Sequence, residues 1–181
     1  MRLALAVHAW PGAAAGGVER SVRALATELV RAGHELCVLA GDLERAAGPA
    51  LELRAAREEL GGGAHCEVLR LARPDLYFDH WHKSRSPQVA ARVRELLAER
   101  GIEVLHVHHW LRLSRDLVHA AALAGVPRVV TLHDAWTSCP LAFRVRSADG
   151  APCDAPVGPQ PCVACAGRVP PHTPWVDGAR G

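Results

Sequence analysis

Residues 2–41, RLALAVHAWPGAAAGGVERSVRALATELVRAGHELCVLAG, carry the alternation on which the fold depends. The apolar run at 2–7 reads as a short buried strand. Gly16 and Gly17 then precede a segment in which Val18, Val22, Leu25, Ala26, Leu29 and Val30 share one helical face, and Gly33 stands where a glycine closes a helix. Leu36–Ala40 is a second apolar strand. Strand, helix and strand in this order make a crossover joining parallel neighbours.

The pattern continues outward. Pro49–Leu60 reads as a helical stretch, Gly61-Gly62-Gly63 as a breaker and Cys66–Leu71 as a weaker third strand. Ser86-Pro87 places a cap before a proline at the first helical position, opening a helix whose Val89, Val93, Leu96 and Leu97 share a face before Gly101 stops it. Glu103–Val107 is a strand, Ser114–Ala124 a helix closed by Gly125, and Pro127 introduces the strand Arg128–Leu132. The expected class is α/β: a Rossmann-like, mostly parallel sheet with helices on both faces. From Pro140 the periodicity stops, and eight of the 13 prolines lie in residues 140–181, so an irregular, cysteine-rich tail is expected there. The reading divides the chain into residues 1–138 and 139–181.

With 181 residues, 49% of them hydrophobic, the chain can bury one good core, which leaves little room for a second full domain. Basic and acidic residues nearly balance at a net charge of +2, without long runs of one sign, which argues against a nucleic-acid binder. Leu3–Val7 is too short for a signal-peptide core, and no run approaches a membrane span. A cytoplasmic location with reduced cysteines is the expectation.

Ligands of open parallel sheets bind beyond the carboxyl ends of the strands. Unusual residues gather at those ends: His8 and Trp10 after the first strand, His108, His109 and Trp110 after Glu103–Val107, and His133, Asp134 and Trp136 after the last strand. Any one group could simply fill a loop under the sheet edge; three on one rim favour a polyhydroxylated ligand such as a sugar. Gly16 and Gly17 before a helix would let a phosphate approach free backbone N–H groups, although their spacing fits neither a dinucleotide fingerprint nor a P-loop. Asp42 stands where a dinucleotide-binding acid would, but the missing glycine fingerprint ranks an NAD-dependent reading lowest. Residues 75–86, DLYFDHWHKSRS, lack periodicity and read as a loop near the cleft, in which His80, Trp81 and His82 could touch a ligand.

Cys139, Cys153, Cys162 and Cys165 follow the pattern C-x13-C-x8-C-x2-C. Together they could complete a tetrahedral structural zinc site that orders the tail; ligand-free thiols or a redox pair at 162 and 165 are the alternatives. Cys37 and Cys66, inside strands, read as core residues.

The early strand with 16-GGVER-20, the helix ending in Ala32-Gly33-His34, 104-VLHVHHW-110, 126-VPRVVTLHD-134 and the following cysteine cluster together resemble the N-terminal half of a family 4 (group 1) glycosyltransferase of the GT-B fold. The resemblance implies retaining transfer of a sugar from a nucleotide-sugar to a glycan or lipid-linked acceptor. It places Gly16 and Gly17 near the donor diphosphate and His133 beside the transferred sugar with Asp134 orienting it. Residues 106–109 would border the cleft. It also implies a second, donor-binding α/β domain carrying a Glu-x7-Glu motif. That spacing occurs here only at Glu44/Glu52, Glu59/Glu67 and Glu95/Glu103, all inside the first domain, so the chain alone is expected to be inactive. Peripheral contact with the inner membrane face would suit some members of such a family, but no strongly basic amphipathic helix argues for it here. A non-catalytic sugar- or nucleotide-binding module with a zinc-stapled tail is the rival expectation.

Overall fold

The structure, a computed structural model, describes residues 1–10, 16–42, 44, 46–74, 85–135, 137–139, 143–156, 158, 162 and 165. The described residues fall into two compact units, one ending at Thr131 and one beginning at Leu132.

The first unit is built on a six-stranded sheet with strands β1 (Arg2–Val7), β2 (Glu35–Gly41), β3 (Glu52–Gly61), β4 (Ala64–Ala72), β5 (Val104–Val107) and β6 (Arg128–Val130). Their spatial order is β3-β4-β2-β1-β5-β6. All pairings are parallel except β3 with β4. The chain moves outward from β1 through β2, then returns to lay β5 on the other side of β1. This reversal makes the carboxyl ends of β1 and β5 the switch point at which ligands of open parallel sheets bind.

Helix α1 (Gly17–Arg31) buries Val22 and Ala26 against Leu3, Leu5, Val7, Val38 and Val68 on one face of the sheet. Helices α2 (Pro87–Glu99) and α3 (Leu117–Leu123) cover Ala4, Ala6, Leu39, Leu69 and Leu105 on the other. The Ser86 hydroxyl accepts the Val89 N–H at 3.3 Å, so the expected cap of α2 is present. Gly33, Gly101 and Gly125 all adopt positive φ just past the ends of the three helices. Among the described residues, no helix is long and apolar enough to cross a membrane.

Two local expectations require correction. The stretch read as a helix near Pro49–Leu60 is largely strand β3, paired antiparallel with β4 from Glu52↔Ala72 to Gly61↔Ala64. Its alanines, glutamates and arginines favour helix intrinsically, but the three-glycine turn, with φ of 103°, 62° and 79°, folds the segment back onto β4. Leu53 then packs on the α2 and α3 side and Leu60 on the α1 side. The helix expected from Ser114 starts only at Leu117, because the buried Ser114 hydroxyl is engaged elsewhere: it accepts Ser86 N–H at 2.9 Å and Asp116 N–H at 3.3 Å.

Among the described residues of the second unit, a bridge pairs Val145 with Pro152 around a turn held by Arg146 N–H to the Ala151 carbonyl at 2.9 Å. Ser147 meets Cys165: its N–H reaches Sγ at 3.3 Å, and its hydroxyl donates to the Cys165 carbonyl. None of this unit's described residues is buried.

Candidate functional site

The rim of the first unit forms where β1 and β5 release the chain side by side. His108 N–H and His109 N–H both donate to the Ala6 carbonyl, at 2.8 and 3.3 Å, so the loop after β5 is tied to the end of β1. This brings the His8 and His109 rings to a centroid separation of 4.5 Å. His108 and His109 are buried, and the rings of His106 and His108 lie 4.0 Å apart. His106 Nε2 shares a hydrogen bond of 2.8 Å with Thr131 Oγ1, just past β6. His109 Nδ1 accepts the Leu111 N–H at 3.0 Å, which places any proton of the neutral ring on Nε2.

His8 Nε2 lies 2.8 Å from Glu19 Oε1, an acid in the first turn of α1. That hydrogen bond is the main cause that holds the Glu19 carboxyl down at about 2, with its own backbone N–H, the His8 charge and Arg112 adding to the effect against the cost of burial. Arg112 is buried and has φ of 62°, a left-handed conformation uncommon for a residue with a side chain. Burial lowers its guanidinium pKa, and the Glu19 charge opposes that shift. The end of β2 fits closely beneath: a Cβ on Gly41 would stand 2.7 Å from both Arg112 Cβ and the His8 carbonyl oxygen. Arg73, at the end of β4, is 1% exposed and donates from Nη1 to the Leu113 carbonyl at 2.7 Å.

The tryptophans expected on the rim sit differently from one another. Trp10 is only 6% exposed, belongs to the core on the α1 side, and has Arg23 Cζ 5.9 Å from its ring centre, which leaves little ring surface for a ligand. Trp110 is half-buried against the opposite core, 6.1 Å from the His109 ring. Trp136 and the loop at 75–84 lie outside the described residues. His133 is half-buried and Asp134 exposed, and both belong to the second unit. Gly16 and Gly17 are the N-cap and first residue of α1. Asp42, considered earlier for a dinucleotide ribose, is instead buried and bonded to Arg54 at 3.0 Å and to Glu44 N–H at 3.1 Å.

Cys37 and Cys66 are buried, and burial pushes their thiols up to about 12 and about 11. Cys139, Cys153, Cys162 and Cys165 are half-buried and unbridged. Among the described residues, no group of three or more histidine, cysteine or acidic side chains is arranged to hold a metal ion.

Glu19 and Arg112 escaped the sequence reading. An acid three residues past a glycine N-cap was a legible sign of a charge in the first helical turn. An arginine between leucines in 110-WLRLS-114 was a weaker sign of a buried cation.

The profile of Glycosyltransferase Family 4 matches residues 15–152, more than half of the chain. Among solved structures, one described as trehalose-6-phosphate from E. coli bound with UDP-2-fluoro glucose is similar at a TM-score of 0.37 and 19% identity, covering 73% of this chain and 32% of that chain. The present chain thus spans about a third of that chain's length. No curated protein matches.

Proposed function

Because the chain belongs to glycosyltransferase family 4, we propose that it is the acceptor-binding side of a retaining transferase of the hexosyl type. The enzyme moves a sugar from a nucleotide-sugar to a glycan or lipid-linked acceptor in the cytoplasm. The observation that carries this reading is the convergence of His8, His108 and His109 at the strand ends where the sheet reverses direction. Buried imidazoles can donate to or accept from sugar hydroxyls according to their tautomer, and the half-buried Trp110 offers an apolar neighbour. His133 hydrogen-bonds the transferred sugar or the leaving phosphate, and Asp134 orients it. The donor-binding half is supplied from outside these 181 residues. A zinc ion on Cys139, Cys153, Cys162 and Cys165 is the proposed staple of the tail, and binding it would require the four thiols to close together.

The test is transfer from labelled nucleotide-sugars by the purified chain, alone and mixed with a donor-binding family 4 domain. Turnover only in the mixture, abolished by His133→Ala, is expected. Robust turnover by the chain alone would sink the half-enzyme reading, and undiminished turnover in His133→Ala would remove that histidine from the site.

A further inference from the structure

The tail cysteines differ in how the second unit holds them. Its hairpin pairs Val145 with Pro152 and Arg146 with Ala151, and Cys153 N–H donates to the Arg144 carbonyl at 2.6 Å. The turn is closed by Gly150 N–H to the Arg146 carbonyl at 2.8 Å and by Asp149, which accepts the Ala151 N–H at 3.1 Å. Cys153 therefore ends one arm of a hydrogen-bonded hairpin.

The C-x2-C pair docks on the same hairpin at Ser147. Ser147 N–H donates to Cys165 Sγ at 3.3 Å, that sulfur lies 3.3 Å from Ser147 Oγ, and the Ser147 hydroxyl donates to the Cys165 carbonyl. Cys162 and Cys165 are both helical, and Cys162 N–H reaches the Gly158 carbonyl at 3.3 Å. Helical residues three apart share a face, so the two thiols start from the same side of the turn. The sulfur of a neutral thiol is a weak acceptor, whereas a metal-bound thiolate carries charge that a backbone N–H stabilises and orients. Cys139 is placed otherwise. Its N–H donates to the Ala135 carbonyl at 2.7 Å, within its own segment, and among the described residues no hydrogen bond ties it to the hairpin.

Building on the zinc staple proposed above, we propose that its four ligands are unequal: Cys162 and Cys165 form the fixed half, Cys153 adds from the hairpin, and Cys139 is the last to join. Ser147 is a positioning residue that acts through its main-chain N–H on Cys165 Sγ. Each thiol releases its proton to solvent as it binds, and four thiolates close a tetrahedral structural site.

The experiment loads the isotope-labelled full chain with an NMR-active cadmium isotope in place of zinc. Cys37 and Cys66 are buried, which leaves the tail thiols to the metal. With cadmium bound, the Ser147 amide proton is expected to show a scalar coupling to the metal through Cys165 Sγ, a signature that a merely structural contact lacks. Cadmium bound without that coupling overturns the role of Ser147 and leaves the staple standing, whereas a chain that binds no cadmium removes both. Competition titrations then rank the ligands: Cys165→Ser should weaken cadmium binding about tenfold or more beyond the loss in Cys139→Ser. A loss in Cys139→Ser as large as that in Cys165→Ser overturns the ranking.

Discussion

Apolar contact across a sheet holds one unit of this chain, while the described part of the other is held by polar bonds between short segments. In the first unit Leu5, Leu39, Leu69 and Leu105 are wholly or almost wholly buried between helices. In the second, no described residue is buried, and order rests on the Val145–Pro152 bridge and on the contacts of Ser147 with Cys165. Apolar burial contributes in proportion to area and reaches many residues at once, whereas a half-exposed hydrogen bond contributes about 1 kcal/mol net and fixes only its neighbours. The comparison explains why a tail rich in proline and cysteine is the place where an added staple would have the most to do.

The largest expected effect tests that contrast directly. Leu105→Ala removes a fully buried side chain from strand β5 and should cost about 2–5 kcal/mol, while Ser147→Ala should cost about 1 kcal/mol or less. Urea unfolding followed by circular dichroism reads both, and equal costs would erase the distinction between the units.

Thiol reactivity sharpens it next. A disulfide-exchange reagent should modify Cys139, Cys153, Cys162 and Cys165 in the native chain, and reach Cys37 and Cys66, whose thiols burial pushes up, only on unfolding. If zinc gathers the tail cysteines, those four become slow until a chelator is added. A metal content below about 0.2 zinc per chain removes the staple.

The smallest effect is in acid. The Glu19 carboxyl, near 4.5 when unpaired and about 2 in the folded chain, contributes stability that is complete above the higher value and is lost as pH falls toward the lower. Between those limits Glu19→Gln should show a shallower loss of Tm than the wild type. Asp149 of the second unit is lowered as well, first by the Ala151 N–H it accepts and then by the exposed Arg146, a pairing that salt should largely screen. Parallel acid profiles of wild type and Glu19→Gln would show that the first unit gains nothing from its internal pair.

Five of the six strands were legible because each contains a run of apolar residues flanked by glycine, proline or a cap. Strand β3 was not, since Glu52–Gly61 is composed of residues that favour helix, and only its partner β4 and the glycine turn decide otherwise. The histidines at the ends of β1 and β5 could be found from position alone, because a parallel sheet puts strand ends on one rim. The His8–Glu19 pair could not, since it depends on how α1 leaves its N-cap. Nor could the left-handed turn at Arg112, which the space above Gly41 permits. Trp10 illustrates the opposite error: its place after β1 suggested a sugar platform, yet its ring is used in the core.

The glycine turn between β3 and β4 has a consequence for the order of assembly. It joins strands that are neighbours in sequence, so their pairing needs only a short loop to close. Strands β1 and β5 instead bring together positions such as Arg2 and Glu103, 101 residues apart, and must wait for a far larger closure. The hairpin at the edge is thus the natural place for the sheet to begin, and the rim that holds the histidines belongs to the last seam to close.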